Sequence, residues 1–381
     1  MSKKKKPMTK RQKNKRKLIF FIVELFILMI LLGAFWFAWK LNKIEKTVIE
    51  DTGSNEDLTE ETKEVLKKYT NLVLLGLDNR TVGNYETGNA DSIIIASINN
   101  ETKEVRLVSI YRDTYLQVTD MGNYSKVNSA YSRNGGAEGM IQALNKNLDL
   151  DIEGFVSVDW YALVKTINLI DGIDVELTAQ EAYQLNKYVR DIGPATGYTT
   201  SRVAAAGPNH LDGVQALSYA RIRKGVGDDF KRTERQREVI SKMVEKVKSS
   251  GVGTLSKIMD EVFPDIATSL SMSEMLSMAT DLLQYRMGES MGFPQEREGR
   301  SVGGSGSCVI PADLLTNAKI LHQFLFESET YTPSETLQQI SNNIVYTTGV
   351  PAHQLETEQQ TTEGGQTTGT QQEQGTTTPQ Q

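Results

Sequence analysis

The chain has 381 residues and a formal net charge of −6, from 48 acidic and 42 basic side chains. A single cysteine, Cys308, excludes an intramolecular disulfide and CxxC chemistry and reads as a buried inert thiol, and three scattered histidines (His210, His322, His353) argue against a histidine zinc site or a Ser-His-Asp triad. The GxSxG, HExxH and P-loop signatures are absent.

The charge is unevenly spread. The first seventeen residues, MSKKKKPMTKRQKNKRK, carry ten Lys/Arg and no acid, so removing those ten charges takes the remainder from −6 to −16. Residues 18–39 follow, 22 residues interrupted only by Glu24. At about 1.5 Å per residue they span a roughly 30 Å hydrocarbon core. A cleaved secretory signal has a shorter apolar run ending at small residues. This run closes on Phe35, Trp36, Phe37 and Trp39, which read as interfacial aromatics. Lys/Arg flanks stay cytoplasmic, so the expectation is a single-pass signal-anchor in the cell membrane, with 1–17 inside and everything after about residue 40 outside. Glu24, near the cytoplasmic end, reads as a carboxyl reaching toward the head groups. An acidic outer domain has no use for nucleic acid, and the basic tail reads as a topology signal and a contact for anionic lipid.

Beyond the span, 40–69 reads as a stalk: the polar juncture EDTGSNED, then a helical pattern over 57–69. NLVLLGLD (71–78), DSIIIASIN (91–99) and EVRLVSIYRD (104–113) are β-branched, apolar and bounded by turn residues, as strands of a buried sheet are. A helix is expected over 135–148, a strand over 154–160, a helix over 161–170 and a strand over 172–177. Strands alternating with helices predict an α/β fold, a layered α-β-α sandwich around a central mixed sheet, preceded by one transmembrane helix. Helical patterns fill 211–249 and recur at 255–263, 275–285 and 312–326. The expected units are a catalytic domain at 70–250, a helical C-terminal part of the same globular unit at 251–330, and a disordered Gln/Thr-rich tail at 331–381.

Candidate functional groups fall at strand ends, where ligands collect in α/β sheets. Asp78 closes the first strand, Asp91 opens the second, and Arg112 and Asp113 follow the third. Alone, each has a bland role as turn former, strand cap or surface ion pair. The stretch YARIRKGVGDDFKRTERQREVI (219–240) adds five arginines. Asp212 is a plausible cap for a helix carrying Arg221 and Arg223 toward a glycine-containing loop. In the next helix Arg232, Arg235 and Gln236 stand at i, i+3 and i+4, on one face. Arg237 falls off that face, with Glu234 three residues before it, and is expected on a solvated surface. With only Asp228, Asp229, Glu234 and Glu238 nearby, the five guanidiniums lack internal counter-charge, and their forks match phosphate or pyrophosphate. An arginine-rich helix bound to water and lipid head groups is the other reading of this composition.

LVLLGLDNR, ADSIIIASINNETKEVRLVSIYRDTYLQV, KVNSAYSRNGG and HLDGVQALSYARIRKGVGDDFKRTERQREVI resemble, in order and spacing, the successive motifs of the LytR-CpsA-Psr family of bacterial cell-wall transferases. The resemblance covers roughly residues 70 to 250, with one departure: Tyr111 stands where the family usually has proline before its Arg-Asp pair. It implies transfer of an anionic glycopolymer, such as teichoic acid or capsular polysaccharide, from an undecaprenyl-pyrophosphate carrier to peptidoglycan. By the same resemblance Asp78 and Asp91 would hold Mg²⁺, while Arg112, Arg221, Arg223, Arg232, Arg235 and Gln236 would cradle the pyrophosphate, with Lys126 a weaker member. Arg112 is expected also to stabilise charge in the transition state. Asp113 and Asp91 both stay open as the base. GFVSVDWYALVKTINLI and MIQALNKNL could line a prenyl tunnel, although ordinary core packing would look the same. A metal-dependent pyrophosphatase or phosphodiesterase would use the same carboxylates and arginines with water in place of the sugar hydroxyl, whereas a non-catalytic binder of cell-wall lipid or polymer would keep its function in Asp91→Ala and Arg112→Ala. A cytoplasmic transcription regulator would require the charge-determined topology to be reversed.

Overall fold

The computed structural model describes residues 45–352 apart from 79–84, 86, 87, 120, 202 and 224, together with 33, 35 and 39. The basic tail at 1–17, nearly all of the expected span at 18–39 and residues 353–381 lie outside the described residues.

Strand β1 (Glu45–Lys46) and helix α1 (Glu60–Leu66) lead into β2 (Tyr69–Leu77), β3 (Ala90–Asn99) and β4 (Glu104–Ile110), an antiparallel meander. A small hairpin, β5 (Tyr115–Gln117) and β6 (Tyr124–Lys126), precedes α2 (Ser129–Arg133), α3 (Ala137–Leu148) and β7 (Ile152–Val158), which returns parallel to β2. Next come α4 (Trp160–Leu169), β8 (Ile173–Leu177), α5 (Ala179–Thr196), β9 (Gly207–Leu211), α6 (Gly213–Ala220), α7 (Asp229–Ser249) and α8 (Val252–Glu261). The C-terminal part holds β10 (Ile266–Thr268), α9 (Met272–Asp281), β11 (Arg286–Phe293), the hairpin β12 (Arg297–Val302) and β13 (Gly306–Pro311), then α10 (Leu314–Phe326) and α11 (Glu335–Thr348). The central sheet has the order β1-β10-β7-β2-β3-β4-β11 and mixes parallel with antiparallel neighbours. The layered α/β expectation therefore holds for the described residues.

Period-two alternation divides the sheet's side chains between two layers. Val73, Leu75, Leu77, Ile93 and Ile95 face a core shared with Met140, Ile141 and Leu144 of α3, Leu321 of α10, and Leu337 and Ile344 of α11. On the opposite face, Ile94, Ala96, Ile98 and Leu107 meet Ile240 of α7 and Met278 of α9. α4, α5 and α6 pack on each other over a further cluster that includes Ile167, Leu185, Ala216 and Tyr219. α6 can lie close to α4 because Gly213 has no Cβ; one there would come 2.2 Å from the Val164 carbonyl oxygen.

Four expectations are corrected. The 40–69 segment is built into the domain: β1 pairs with β10, Leu58 and Leu66 are buried, and Asn55 donates to Asp149. The 251–330 part is not simply helical, since it supplies β10 and β11 to the central sheet and the β12–β13 hairpin. The tail cannot begin at 331, because Leu337, Ile340 and Ile344 bury one face of α11 in the main core. The expected strand at 172–177 forms, but as β8 it pairs only with β9, outside the central sheet.

Candidate active site

At the end of the sheet where β2 and β7 finish, β3 begins and β4 delivers Arg112, a cavity of about 210 Å³ lies between the sheet and α4, α6 and α7. Its inner wall is apolar, from Leu74, Ile94, Val158, Leu163, Leu217 and Val239. Polar groups gather on one side of it: Asp91, Ser92, Arg221, Arg223, Arg232 and Gln236. Of the stretches expected to line a prenyl tunnel, the first contributes Val158, Trp160 and Leu163, whereas Met140–Leu148 belongs to the core on the far face of the sheet.

Helix ends set these groups. Asp212 caps α6, as expected, by accepting from the Gln215 amide at 3.0 Å, so the opposite end of that helix carries Arg221 to the cavity. The Arg221 guanidinium stacks on the Trp160 ring at 3.6 Å, and its Nη1 stands 3.8 Å from Asp78 Oδ1. Burial draws its pKa below the usual arginine value, against the opposing pull of Asp78 and Asp91. Asp228 caps α7 through the Phe230 amide, and the first turns of that helix present Asp229, Arg232 and Gln236. Ser92 Oγ donates to Gln236 Oε1 at 3.1 Å, tying β3 to α7.

Arg112 stands just outside the cavity wall. Its Nη1 donates to Asp91 Oδ1 at 2.8 Å, and its Nε lies 3.6 Å from Asp113 and 3.5 Å from Asp229. Burial works against its charge, but the three carboxylates hold its pKa above the ordinary value. Lys126 pairs with Asp113 at 3.0 Å, so it braces the carboxylate beside Arg112 and does not reach the cavity. Asp78 also lies off the cavity wall, at the exposed end of β2.

Two arginines differ from expectation. Arg235 is turned away from the cavity and binds Glu181 at 3.0 Å, the Ile222 carbonyl at 3.1 Å and the Val226 carbonyl at 2.6 Å. At about 100° per residue, position 235 falls some 60° to one side of Arg232 while Gln236 falls some 40° to the other, and the cavity lies on the Gln236 side. Arg235 is therefore a brace for the backbone at Ile222 and Val226. Arg237 is buried, with 6% exposure, and donates from Nε to Ser290 Oγ of β11 at 3.0 Å. It has no place on a solvated surface.

Sequence reasoning also missed Glu181, Trp160, and Asp229 as the shared partner of Arg112, Arg223 and Arg232. Helical spacing pairs Asp229 with Arg232 at i,i+3, but its contact with Arg112, remote in sequence, had no local signal.

Asp78 and Asp91 offer hard oxygen donors on adjacent strand ends, and both face guanidiniums. Among the described residues no group of three or more His, Cys, Asp or Glu side chains could hold a metal ion. Two carboxylates suit Mg²⁺ as an ion shared with substrate phosphate oxygens and water, and do not suit a cage of protein ligands alone.

The profile of the LytR_cpsA_psr family matches residues 37–310. The chain is 32% identical over 268 residues to the polyisoprenyl-teichoic acid–peptidoglycan teichoic acid transferase TagU of Enterococcus faecalis, covering 68% of this chain and 80% of that one. It is 27% identical over 275 residues to the corresponding transferase TagV of Bacillus subtilis, covering 69% and 67%. The fold matches that of B. subtilis TagT with a TM-score of 0.55 at 20% identity, over 75% of this chain and 100% of that one. With strand-end acids, an arginine-lined cavity and this match over most of its length, the chain belongs to the LytR-CpsA-Psr family.

Proposed function

We propose that this chain is a membrane-anchored, extracellular phosphotransferase that moves an anionic glycopolymer, of teichoic acid or capsular type, from a polyprenyl-pyrophosphate carrier to peptidoglycan. The observation that carries the reading is the two-sided character of one cavity, an apolar inner wall beside three guanidiniums and a glutamine amide. A prenyl chain suits the first and a pyrophosphate the second. TagU and TagV, as polyisoprenyl-teichoic acid–peptidoglycan teichoic acid transferases, are named for an activity of this class.

Phosphoryl transfer depends on positioning and charge neutralisation. In the reaction, the acceptor sugar hydroxyl forms a new P–O bond to the polymer's phosphorus, the pyrophosphate P–O bond breaks, and polyprenyl phosphate leaves with the electron pair. Arg221, Arg223, Arg232 and Gln236 bind the non-bridging oxygens, and Arg112, on the rim, meets the charge that grows on the leaving side. Asp91 and Asp113 are both ion-paired, to Arg112 and Lys126, but only Asp91 borders the cavity, so Asp91 is the carboxylate nearer the acceptor proton. Asp78 and Asp91 would hold Mg²⁺, which adds neutralisation of the phosphate charge when bound.

Anchoring is supported by the charge asymmetry of the first 39 residues and by the register of β1. Glu45 pairs with Ala267, which stands opposite Ser157 near the end of β7, so β1 begins at the sheet end that carries Asp91 and Arg112. Protease added to wall-stripped cells should then digest residues beyond 45; a protected domain would reverse the topology.

The decisive experiment mixes the full chain in detergent with a polyprenyl-pyrophosphate-linked glycan and a peptidoglycan oligomer, with Mg²⁺ or with EDTA, and reads products by mass spectrometry. A phosphodiester-linked adduct that requires Mg²⁺ and disappears in Asp91→Ala is the expected result. Free polymer phosphate without adduct would make the protein a hydrolase, and bound but uncleaved lipid would make it a binding protein.

A further inference from the structure

Asp229 makes more contacts to the site's arginines than any other described carboxylate. Its Oδ1 lies 3.2 Å from Arg223 Nε, and its Oδ2 lies 3.2 Å from Arg232 Nη2 and 3.5 Å from Arg112 Nε. These contacts leave donors unused: Arg232 is only 3% exposed, yet the Nε atoms of both Arg232 and Arg112 are buried without a hydrogen-bond partner. Buried guanidinium donors without acceptors cost free energy until a ligand supplies the acceptors. Arg223 and Arg232 line the cavity, whereas Asp229 touches both without being part of the wall.

The backbone next to Asp229 is anchored by its neighbour. The neighbouring Phe230 packs edge-on against Tyr111 with centroids 4.5 Å apart, and the Arg297 guanidinium covers Phe230 at 4.0 Å and Tyr111 at 5.3 Å. Tyr111, where the resemblance leads one to expect proline, thus takes part in fixing the start of α7. Burial raises the pKa of Asp229, with Arg223 and Arg112 pulling the other way, as for a carboxylate whose desolvation is only partly repaid.

We propose that Asp229 is a built-in counter-anion, a positioning residue that gathers Arg112, Arg223 and Arg232 around one carboxylate and keeps them ready for a substrate pyrophosphate. The proposal rests on the pyrophosphate-binding reading of this cavity. A carboxylate there has two opposed effects. It preorganises the guanidiniums, which raises turnover, and it repels the phosphates that share them, which weakens ground-state binding.

The test measures binding of farnesyl pyrophosphate to the full chain in detergent with EDTA, by calorimetry, alongside turnover of the lipid-linked glycan. Asp229→Asn is expected to bind at least tenfold more tightly while kcat falls at least tenfold, a split that a merely structural role would not produce. Asp229→Glu, which keeps the charge but displaces it by one methylene from its three arginine contacts, is expected to weaken binding at least threefold. Folded Asp229→Asn with wild-type or weaker affinity, or with unchanged kcat, overturns the proposal. So does Asp229→Glu with unchanged affinity, whether or not Asp229→Asn folds. If the wild-type chain itself fails to bind farnesyl pyrophosphate, the pyrophosphate reading of the cavity falls first.

Discussion

Ile94 and Ile95 are adjacent in β3 and almost equally buried, at 1% and 0% exposure, yet they serve different layers. Ile95 is sealed in the core with α3, α10 and α11, whereas Ile94 borders the arginine-lined cavity. The sealed layer also contains a closed polar knot. Asp149 accepts from Asn55 Nδ2, from Tyr331 Oη at 2.6 Å, and from the Ser334 amide and hydroxyl at 2.8 and 2.7 Å. These bonds join the segment entering the domain to α3 and α11, and every donor is satisfied. On the cavity side, guanidinium donors are left open. The sealed face also keeps buried neutral groups without a partner, Ser97 Oγ and Ser157 Oγ among them, so what distinguishes the cavity side is that its open donors belong to charged guanidiniums.

The largest expected effect lies on the cavity side. Arg112→Ala should lower kcat by about 10³-fold, by analogy with loss of one preorganised charge donor, while farnesyl pyrophosphate affinity falls much less. Equal losses in kcat and affinity would leave Arg112 a binding group only. On the sealed side, Asp149→Ala removes the acceptor of four hydrogen bonds and should cost about 3 kcal/mol in denaturant unfolding, with turnover of the folded fraction unchanged at low temperature. The two isoleucines give the sharpest contrast. Ile95→Phe overpacks a full core and should destabilise by about 1–3 kcal/mol. Ile94→Phe extends into open volume and should leave stability within about 1 kcal/mol, yet weaken farnesyl pyrophosphate binding about tenfold by occupying its space. Unimpaired binding in Ile94→Phe would mean that the prenyl chain lies elsewhere.

The sequence made the sealed layer easier to read than the edges. β2, β3 and β4 announce themselves as apolar runs because both of their faces are covered. β11, RMGESMGF, carries almost no apolar pattern: much of it is exposed, and its place is fixed by parallel pairing with β4. α11 does have apolar residues at 337, 340 and 344, but they sit in a Gln-, Asn- and Thr-rich setting that suggests disorder. In the site, helical spacing was enough to align Arg232 with Gln236. It could not tell Arg235 from them, because the partner that turns it away, Glu181, lies on another helix. Nor could it place Arg237, whose acceptor is on β11. Residue type and local spacing identify which charges are present; which of them reach the ligand is decided by long-range packing.

The smallest expected effect tests the sealed layer by pH. His322 is stacked on Tyr331 with centroids 3.6 Å apart, and its Nε2 contacts the Leu148 carbonyl at 2.9 Å. Burial, the dominant cause, lowers its pKa to about 4, opposed by the Leu148 hydrogen bond and by Asp149. In the unfolded chain the same imidazole titrates near 6.5. Between these values the unfolded chain binds the extra proton, so its stabilising contribution is complete above about pH 6.5 and is lost as pH falls toward 4. His322→Phe keeps an aromatic ring against Tyr331 and removes the titration, at the cost of the bond to Leu148. Denaturant unfolding of the wild type should therefore lose about 1–2 kcal/mol more between pH 7 and pH 4.5 than that of the variant. Parallel losses in the two proteins would mean that the imidazole beside the Asp149 knot is protonated in the fold, and that this layer is less thoroughly sealed than its packing indicates.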